Sequence, residues 1–388
     1  MIVPRPAFLD APATAAILEA LPGARAVGGA VRDSLANQPV QDVDIAAPLP
    51  PEEIARLLRA AGAKVFETGI AHGTVTAVLG GLPHEVTALR RDIATDGRHA
   101  EVAWTADWRE DAARRDFTIN AMSMGPDGTL FDYFGGAADL AAGRVVFVGE
   151  PAARIAEDYL RILRFFRFFA RYGHGEPDGA ALAAIRAGVP GMARLSVERV
   201  WMELKRLLAG PAPAEAVARM AESGVLAAVL PEAGGPDALA RVAEPDPLLR
   251  LAALLRPGAD IAALASRLKL SGTEATQLAA MQGAVPSGDD DALRRALAAA
   301  GHDTLLARVA LAEARDGVDR AALRARLQVL PRPVFPLQGR DGLSLGAAPG
   351  PALGAALAAT RAWWLERGCI DDADACRAQL ARVLALQN

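Results

Sequence analysis

Cysteine is almost missing from this chain: among 388 residues only Cys369 and Cys376 occur. Neither joins a second Cys or His pair at zinc spacing, so a structural zinc site is excluded, and the seven-residue interval reads as two buried thiols on one helix face. Lysine is nearly as scarce. Only Lys64, Lys205 and Lys269 are present, the other cations are arginines, and the net charge is -4. No global basicity therefore announces nucleic acid, and RNA binding would have to come from a local arginine patch. Long apolar runs are absent too. No stretch reaches the roughly 18 residues of a membrane span, and no basic N-terminal segment leads into a long apolar core. The expectation is a soluble, cytoplasmic protein with no membrane partner.

What is present describes a folded chain. Hydrophobic residues make up 52% and charged residues 23%, a globular balance, and the length exceeds one ordinary core, so two or more domains are expected. Residues 24 to about 148 alternate β-type runs (Thr74 to Leu79, His84 to Leu89, Val145 to Val148) with helical stretches such as Glu52 to Ala61, which predicts an α/β or α+β head. From Pro151 onward Ala, Leu and Arg recur at helical spacing without a convincing strand. Pro/Gly punctuation at residues 188–191, 210–213 and 331–333 divides that helical part.

The chemistry begins with Asp42 and Asp44, which follow the turn Gly28-Gly29-Ala30-Val31-Arg32-Asp33 by about a dozen residues. On a strand these two carboxylates share a face about 6.5 to 7 Å apart, where they can grip hard, oxygen-seeking cations such as Mg²⁺. The paired glycines let the backbone approach a phosphate, and Ala30 to Ala36 reads as the helix that follows. Either half alone also fits a tight strand-to-helix corner or a solvated strand edge. Together they suggest metal-dependent nucleotidyl transfer. Glu85, on a later strand-like run, is placed as a third carboxylate or as an exposed strand residue.

Arg114 to Met122 mixes donors and acceptors ahead of an apolar run. It reads as a helix cap or as a place where Asp116 and Asn120 hydrogen-bond a ribose. Asp132 to Gly136, with Asp139, reads as a turn tying sheet to helix. In Glu157 to Phe168, helical spacing puts Glu157 beside Arg161 and sets Asp158, Arg161 and Arg164 along one polar stripe. That stripe is either a surface ion pair or a template for a base edge. As a template, the carboxylate accepts from the exocyclic amine of cytosine or adenine while the guanidinium donates to cytosine O2/N3 or adenine N1. Uracil and guanine mismatch both groups, at a cost on the order of 1 to 3 kcal/mol.

Taken in order, Val27-Gly28-Gly29-x-Val31-Arg32-Asp33, Asp42-x-Asp44, Glu85-Val86-Thr87, Arg91-Asp92-x-x-x-Asp96-Gly97-Arg98, Arg114 to Asn120, Glu157-Asp158-x-x-Arg161 and Leu195-Ser196-x-Glu198-Arg199-x-x-x-Glu203-Leu204 resemble class II tRNA nucleotidyltransferases, the CCA-adding enzymes, and bacterial poly(A) polymerases. The resemblance is dense from residue 24 to about 210. It implies an α+β, polymerase-β-like nucleotidyltransferase head (1–150) followed by an all-α neck (151–210), body (211–330) and tail (331–388).

By the same resemblance, Asp42 and Asp44 match the metal-binding pair and Gly28, Gly29 and Arg32 the triphosphate-binding motif. Arg115 and Asp116, with Asn120 nearby, match the ribose-selecting motif. Asp158 and Arg161 match the base-templating pair, with Glu157 and Arg164 in support. Asp92 to His99 matches the loop that helps switch from C to A addition. Tyr159 stands where many relatives have Pro.

The implied reaction adds CCA to tRNA 3′ ends from CTP and ATP by two-metal phosphoryl transfer with Mg²⁺, the alternative being AMP addition by a poly(A) polymerase. The intact Arg90 to His99 segment argues against a CC-only enzyme, and no long basic C-terminal extension of the poly(A) polymerase kind is seen. A decayed, non-catalytic RNA-binding head would lack a metal carboxylate, and a small-molecule nucleotidyltransferase would not need the templating segment. The isolated His302-Asp303 pair makes no phosphohydrolase site.

Overall fold

The computed structural model describes residues 5–95 and 100–386. It divides into two compact units, Met1–Pro231 and Glu232–Asn388. The first unit carries every strand found among the described residues: β1 (Arg25–Val27), β2 (Asp44–Ala47), β3 (Lys64–Phe66), β4 (Thr74–Leu79), β5 (Leu82–Ala88), β6 (Arg90–Thr95), β7 (Ala100–Trp104), β8 (Met122–Met124) and β9 (Leu130–Asp132). Seven form one mixed sheet in the order β3-β4-β5-β2-β1-β8-β9, while β6 and β7 pair as a separate ribbon. Only β2 and β5 run parallel.

Alternation decides which face each strand buries. Ile45, Val75, Val86 and Met124 point into a core closed by Leu18 and Leu21 on one side and by Ile54 and Leu58 of the Pro51–Ala60 helix. Side chains one residue away along each strand face the opposite side, where Val27, Ala46, Leu89 and Trp108 form a smaller cluster. Asp44 and Glu85 belong to that second face. Asp132 ties sheet to helix, as its pattern predicts: its carboxylate accepts from Gly136 and Ala137 N–H, each at 2.9 Å. Gly136 leaves no room for a side chain, because a Cβ there would stand 2.1 Å from the Thr118 carbonyl oxygen.

Two readings need correction. Val145 to Val148 forms no strand; Phe147 makes one isolated bridge with Phe117. Its apolar residues are instead spent on an aromatic stack in which the Phe117 and Phe147 rings lie 4.8 Å apart and Phe147 stacks on Phe165 at 5.9 Å. That stack pins the 116–120 segment to the helix Leu160–Tyr172. The polar stripe expected on one continuous helix is also broken. Pro151–Glu157 ends where Asp158 turns extended (φ -156°), and a new helix starts at Leu160. The Asp158 side chain causes the break by accepting the Leu160 N–H at 3.0 Å, a local bond that competes with helix continuation. Tyr159 thus occupies the junction rather than a helix interior, and its ring fills the space a Cβ on Gly191 would need.

Every regular element of the second unit among its described residues is a helix, apart from an isolated bridge between Ala233 and Leu255. Leu293, Leu297, Leu305, Val309 and Leu327 make one core, and Trp364, Cys369, Cys376 and Leu380 belong to another. Both thiols are buried, as expected, but they do not share a helix face. Cys369 sits at φ 61° in the turn after the Pro351–Glu366 helix, and only Cys376 is helical. His302 sits beside the Leu330 carbonyl at 2.9 Å, a structural contact. Among the described residues no helix is long and apolar enough to cross a membrane.

Candidate active site

A polar cleft of about 400 Å³ opens in the first unit. Ten of the residues singled out in the sequence line it: Gly28, Gly29, Arg32, Asp44, Arg115, Asp116, Asn120, Asp158, Arg161 and Arg164. They come from the β1 turn, the start of β2, the 114–120 segment and both sides of the helix break, so chain topology assembles what local pattern only hinted at.

The turn after β1 is built for close approach. Gly28 has φ 64°, in the left-handed region that favours glycine, and a Cβ there would lie 3.1 Å from Arg115 Nη1. Behind it runs the short helix Gly29–Leu35. Its Arg32 is held by Asp33 (2.9 Å) and by the Asn120 Oδ1 (2.6 Å), and its guanidinium lies over the rings of Phe168 and Tyr172. Tyr172 donates its hydroxyl to Asp33 in turn. Arg32 is thereby fixed without burial of an unpaired charge.

The carboxylates differ from a simple strand pair. Asp44 opens β2, but Asp42 lies just before it, off the ladder. Register supplies the third member: Ile45 pairs with Val86 across the parallel β2–β5 ladder, which sets Asp44 level with Glu85. Burial pushes the Asp44 carboxyl above its ordinary value, Glu85 adds to the rise, Arg115 opposes it and Asp42 adds again. Glu85 and Asp42 both crowd Asp44 with like charge, which a hard divalent cation would relieve. They are not drawn into a closed cluster, since no preformed group of three or more such ligands occurs among the described residues.

Asp116 is buried (7% exposed) and its oxygens are fully engaged. Oδ1 accepts from Phe117 N and Asn120 Nδ2, and Oδ2 accepts from Arg164. Burial alone would raise its pKa, but the Arg164 charge and these hydrogen bonds outweigh it and hold the carboxyl below its usual range. Arg115 and Arg114 both lean on buried Asp111. At the helix break, Asp158 Oδ2 accepts from Arg199 at 2.6 Å, while Arg161 pairs with Glu157 and donates to the Arg154 carbonyl. The expected Glu157–Arg161 pair thus forms across the break, and partly buried. Arg114 and Arg199 also line the cleft. Sequence reasoning did not place them there, although both lie within motifs quoted for the family. Asp42 and Glu85 stand outside this cleft, and the segment read as the switching loop, Asp92 to His99, lies outside the described residues beyond the backbone of β6.

Fold and cleft together define a nucleotidyltransferase head, a fold that generally uses divalent metal, followed by helices. Residues 24–146 match the family model described as the Poly A polymerase head domain, and residues 176–234 match the probable RNA- and SrmB-binding site of polymerase A. The "CCA tRNA nucleotidyltransferase 1, mitochondrial" of Danio rerio is 45% identical over 262 residues, which are 64% of this chain and 60% of that protein. The "CCA-adding enzyme" of Geobacillus thermodenitrificans is 42% identical over 201 residues, 51% of this chain and 48% of that one. These matches therefore span about half to three fifths of the curated relatives. Among solved structures, the Bacillus stearothermophilus CCA-adding enzyme in complex with CTP superposes with a TM-score of 0.79 at 29% identity, covering 96% of each chain. The head is polymerase-β-like, as expected. Residues 24–146 thus carry a poly(A) polymerase head domain, and over the spans matched the chain is similar to CCA-adding enzymes.

Proposed function

We propose that this chain adds C, C and A to the 3′ ends of tRNA from CTP and ATP without a nucleic-acid template. The observation that carries the reading is the convergence of Asp158 and Arg161 with the Gly28-Gly29 turn and Asp44 around one cleft. Relatives named for CCA addition, among them one solved with CTP, support the choice of nucleotides.

In this reading the nucleotide base lies at the helix break. Asp158 accepts from its exocyclic amine and Arg161 donates to its ring acceptor, which selects cytosine and adenine over uracil and guanine. Arg115, Asn120 and Asp116 serve the ribose side, Asp116 by holding Asn120 and Arg164 in place. Gly28, Gly29 and Arg32 receive the triphosphate. The RNA 3′-hydroxyl oxygen forms a bond to the α-phosphorus, the bond from that phosphorus to the bridging oxygen breaks, the hydroxyl proton is lost and pyrophosphate departs. Mg²⁺ at Asp42 and Asp44, with Glu85 as third carboxylate, would ease deprotonation of the hydroxyl and offset charge on the leaving group. No residue need form a covalent intermediate. The helical region beyond the head would grip the tRNA acceptor stem through phosphate and 2′-hydroxyl contacts, because A-form RNA is read by shape. We also propose a cytoplasmic location, which fractionation tests, since the vertebrate relatives are named as mitochondrial.

Incubation with tRNA lacking its tail and single labelled nucleotides tests the activity. Two additions from CTP followed by one from ATP are expected. Long ladders from ATP alone would replace this reading with poly(A) addition.

A further inference from the structure

A second cleft, of about 640 Å³, adjoins the first and shares Gly29, Arg32, Asp44 and Phe168 with it. Asp42 lines only this second cleft. Its other wall is cationic: Arg167 and Arg171 stand one turn apart on the Leu160–Tyr172 helix, and Arg206 comes from the helix Val197–Leu208. The charges around it are unequally satisfied. Among the described residues, buried Glu203, 3% exposed, is the one carboxylate paired with Arg167 (2.7 Å) and Arg206 (3.4 Å), and it also faces Arg164 at 4.0 Å. Asp33 is committed to Arg32 and Tyr172. Arg171 rests against the Tyr172 ring at 5.7 Å and has no ion pair among the described residues. Asp42 and Asp44 are the remaining negative groups, and a bound metal would answer them.

We propose that this second cleft receives the pyrophosphate released by the reaction. The inference rests on the functional reading above, which fixes the direction of the substrate. With the base at Asp158 and Arg161, the triphosphate runs toward Arg32, the residue at which the first cleft passes into the second. An in-line displacement drives the leaving group away from the attacking oxygen and so further along that direction. Bond breakage leaves an additional negative charge on the diphosphate, and the groups next in its path are Arg171, Arg167 and Arg206. Arg171, alone of the three in lacking a carboxylate partner, contributes most of the unspent positive charge.

The test uses the full chain, tRNA lacking its tail, CTP, and magnesium pyrophosphate as inhibitor. Arg171→Ala and Arg206→Ala should each raise the pyrophosphate concentration for half-inhibition about three- to tenfold, the loss expected for one exposed charge-assisted contact, and by more than they raise KM for CTP. Arg171→Lys, which keeps the charge, should recover most of the effect. An unaltered inhibition curve overturns the proposal, as does an effect confined to KM for RNA, which would make the cleft an acceptor site. Calorimetric titration of magnesium pyrophosphate into the protein without RNA separates the two readings. Binding that weakens in the variants although the wild type extends no RNA keeps the cleft and removes the function. Normal CCA addition with identical pyrophosphate binding in wild type and variants does the reverse.

Discussion

Arg164 grips Asp116 with two nitrogens on one oxygen, Nε at 2.6 Å and Nη2 at 2.5 Å, across the floor of the first cleft. A helix in the chain's second hundred residues is thereby bonded to the segment that leads into β8. The pair is largely withdrawn from water, so taking away one partner strands the other. Arg164→Ala should destabilise the first unit by about 3 kcal/mol or more, read by urea denaturation. Pairing it with Asp116→Asn should recover part of that loss. An Arg164→Ala protein as stable as the wild type would show that the clamp holds nothing.

Acid should act on the same region. Burial alone would raise the Asp111 and Asp116 carboxyls, but Arg115 and Arg114 around the first and Arg164 around the second reverse this, so both sit below their ordinary value of 3.8. A folded-state value depressed below the unfolded one stabilises the fold above 3.8 and loses that contribution as pH falls through the lower folded values. Denaturation midpoints should therefore drop steeply below about pH 4, and less steeply in Asp116→Asn. Equal slopes in the two proteins would acquit Asp116.

Asp42→Ala and Asp44→Ala should each reduce C and A addition alike, by about a thousandfold or more, because a misplaced metal forfeits several kcal/mol of transition-state stabilisation. Affinity for tRNA should stay near the wild-type value, since most RNA contacts are assigned to the helices. Filter binding and single-nucleotide incorporation measure the two quantities separately, and a parallel loss of both would contradict the assignment.

Base choice should fail at the helix break. Arg161→Ala removes donors to the ring acceptor and should cost about ten- to a hundredfold in discrimination, with Asp158→Ala raising the relative use of UTP and GTP. Competition assays with all four nucleotides give the ratio directly. If both variants slow turnover but keep the preference for C and A, the pair is structural and the base is read elsewhere.

Gly136→Ala provides a test of the fold alone. Its Cβ would meet the Thr118 backbone oxygen at 2.1 Å, and because backbone cannot swing aside, a loss of about 1 to 3 kcal/mol is expected in a thermal melt. An unchanged melting temperature would mean that the helix shifts freely.

What could be read in advance follows from range. β4 and β5 are legible because alternation is a local property, and the Gly28-Gly29 turn because positive φ demands glycine. The level placement of Asp44 and Glu85 depends on a parallel ladder between distant segments, so only the guess of a neighbouring strand was open to sequence. The helix break escaped because neither Asp158 nor Tyr159 punctuates like Pro or Gly. The available signal was an Asp poised to cap the next helix. Arg199 and Arg114 were missed as cleft residues because their neighbours there are set by packing. Val145 to Val148 misled because an apolar run serves an aromatic stack as well as a strand.

The interruption at Asp158 has a mechanical meaning. Had Asp158 and Arg161, the two groups proposed to face the base, stood on one helix, a single rigid rod would have dictated their spacing. Instead they are mounted like the jaws of a calliper on separate arms, one fastened through Arg199 and the other through Glu157. Loosening either fastening should re-aim one jaw and leave the other standing, so under the proposed base reading, faults toward the amine and toward the ring acceptor should be separable by mutation.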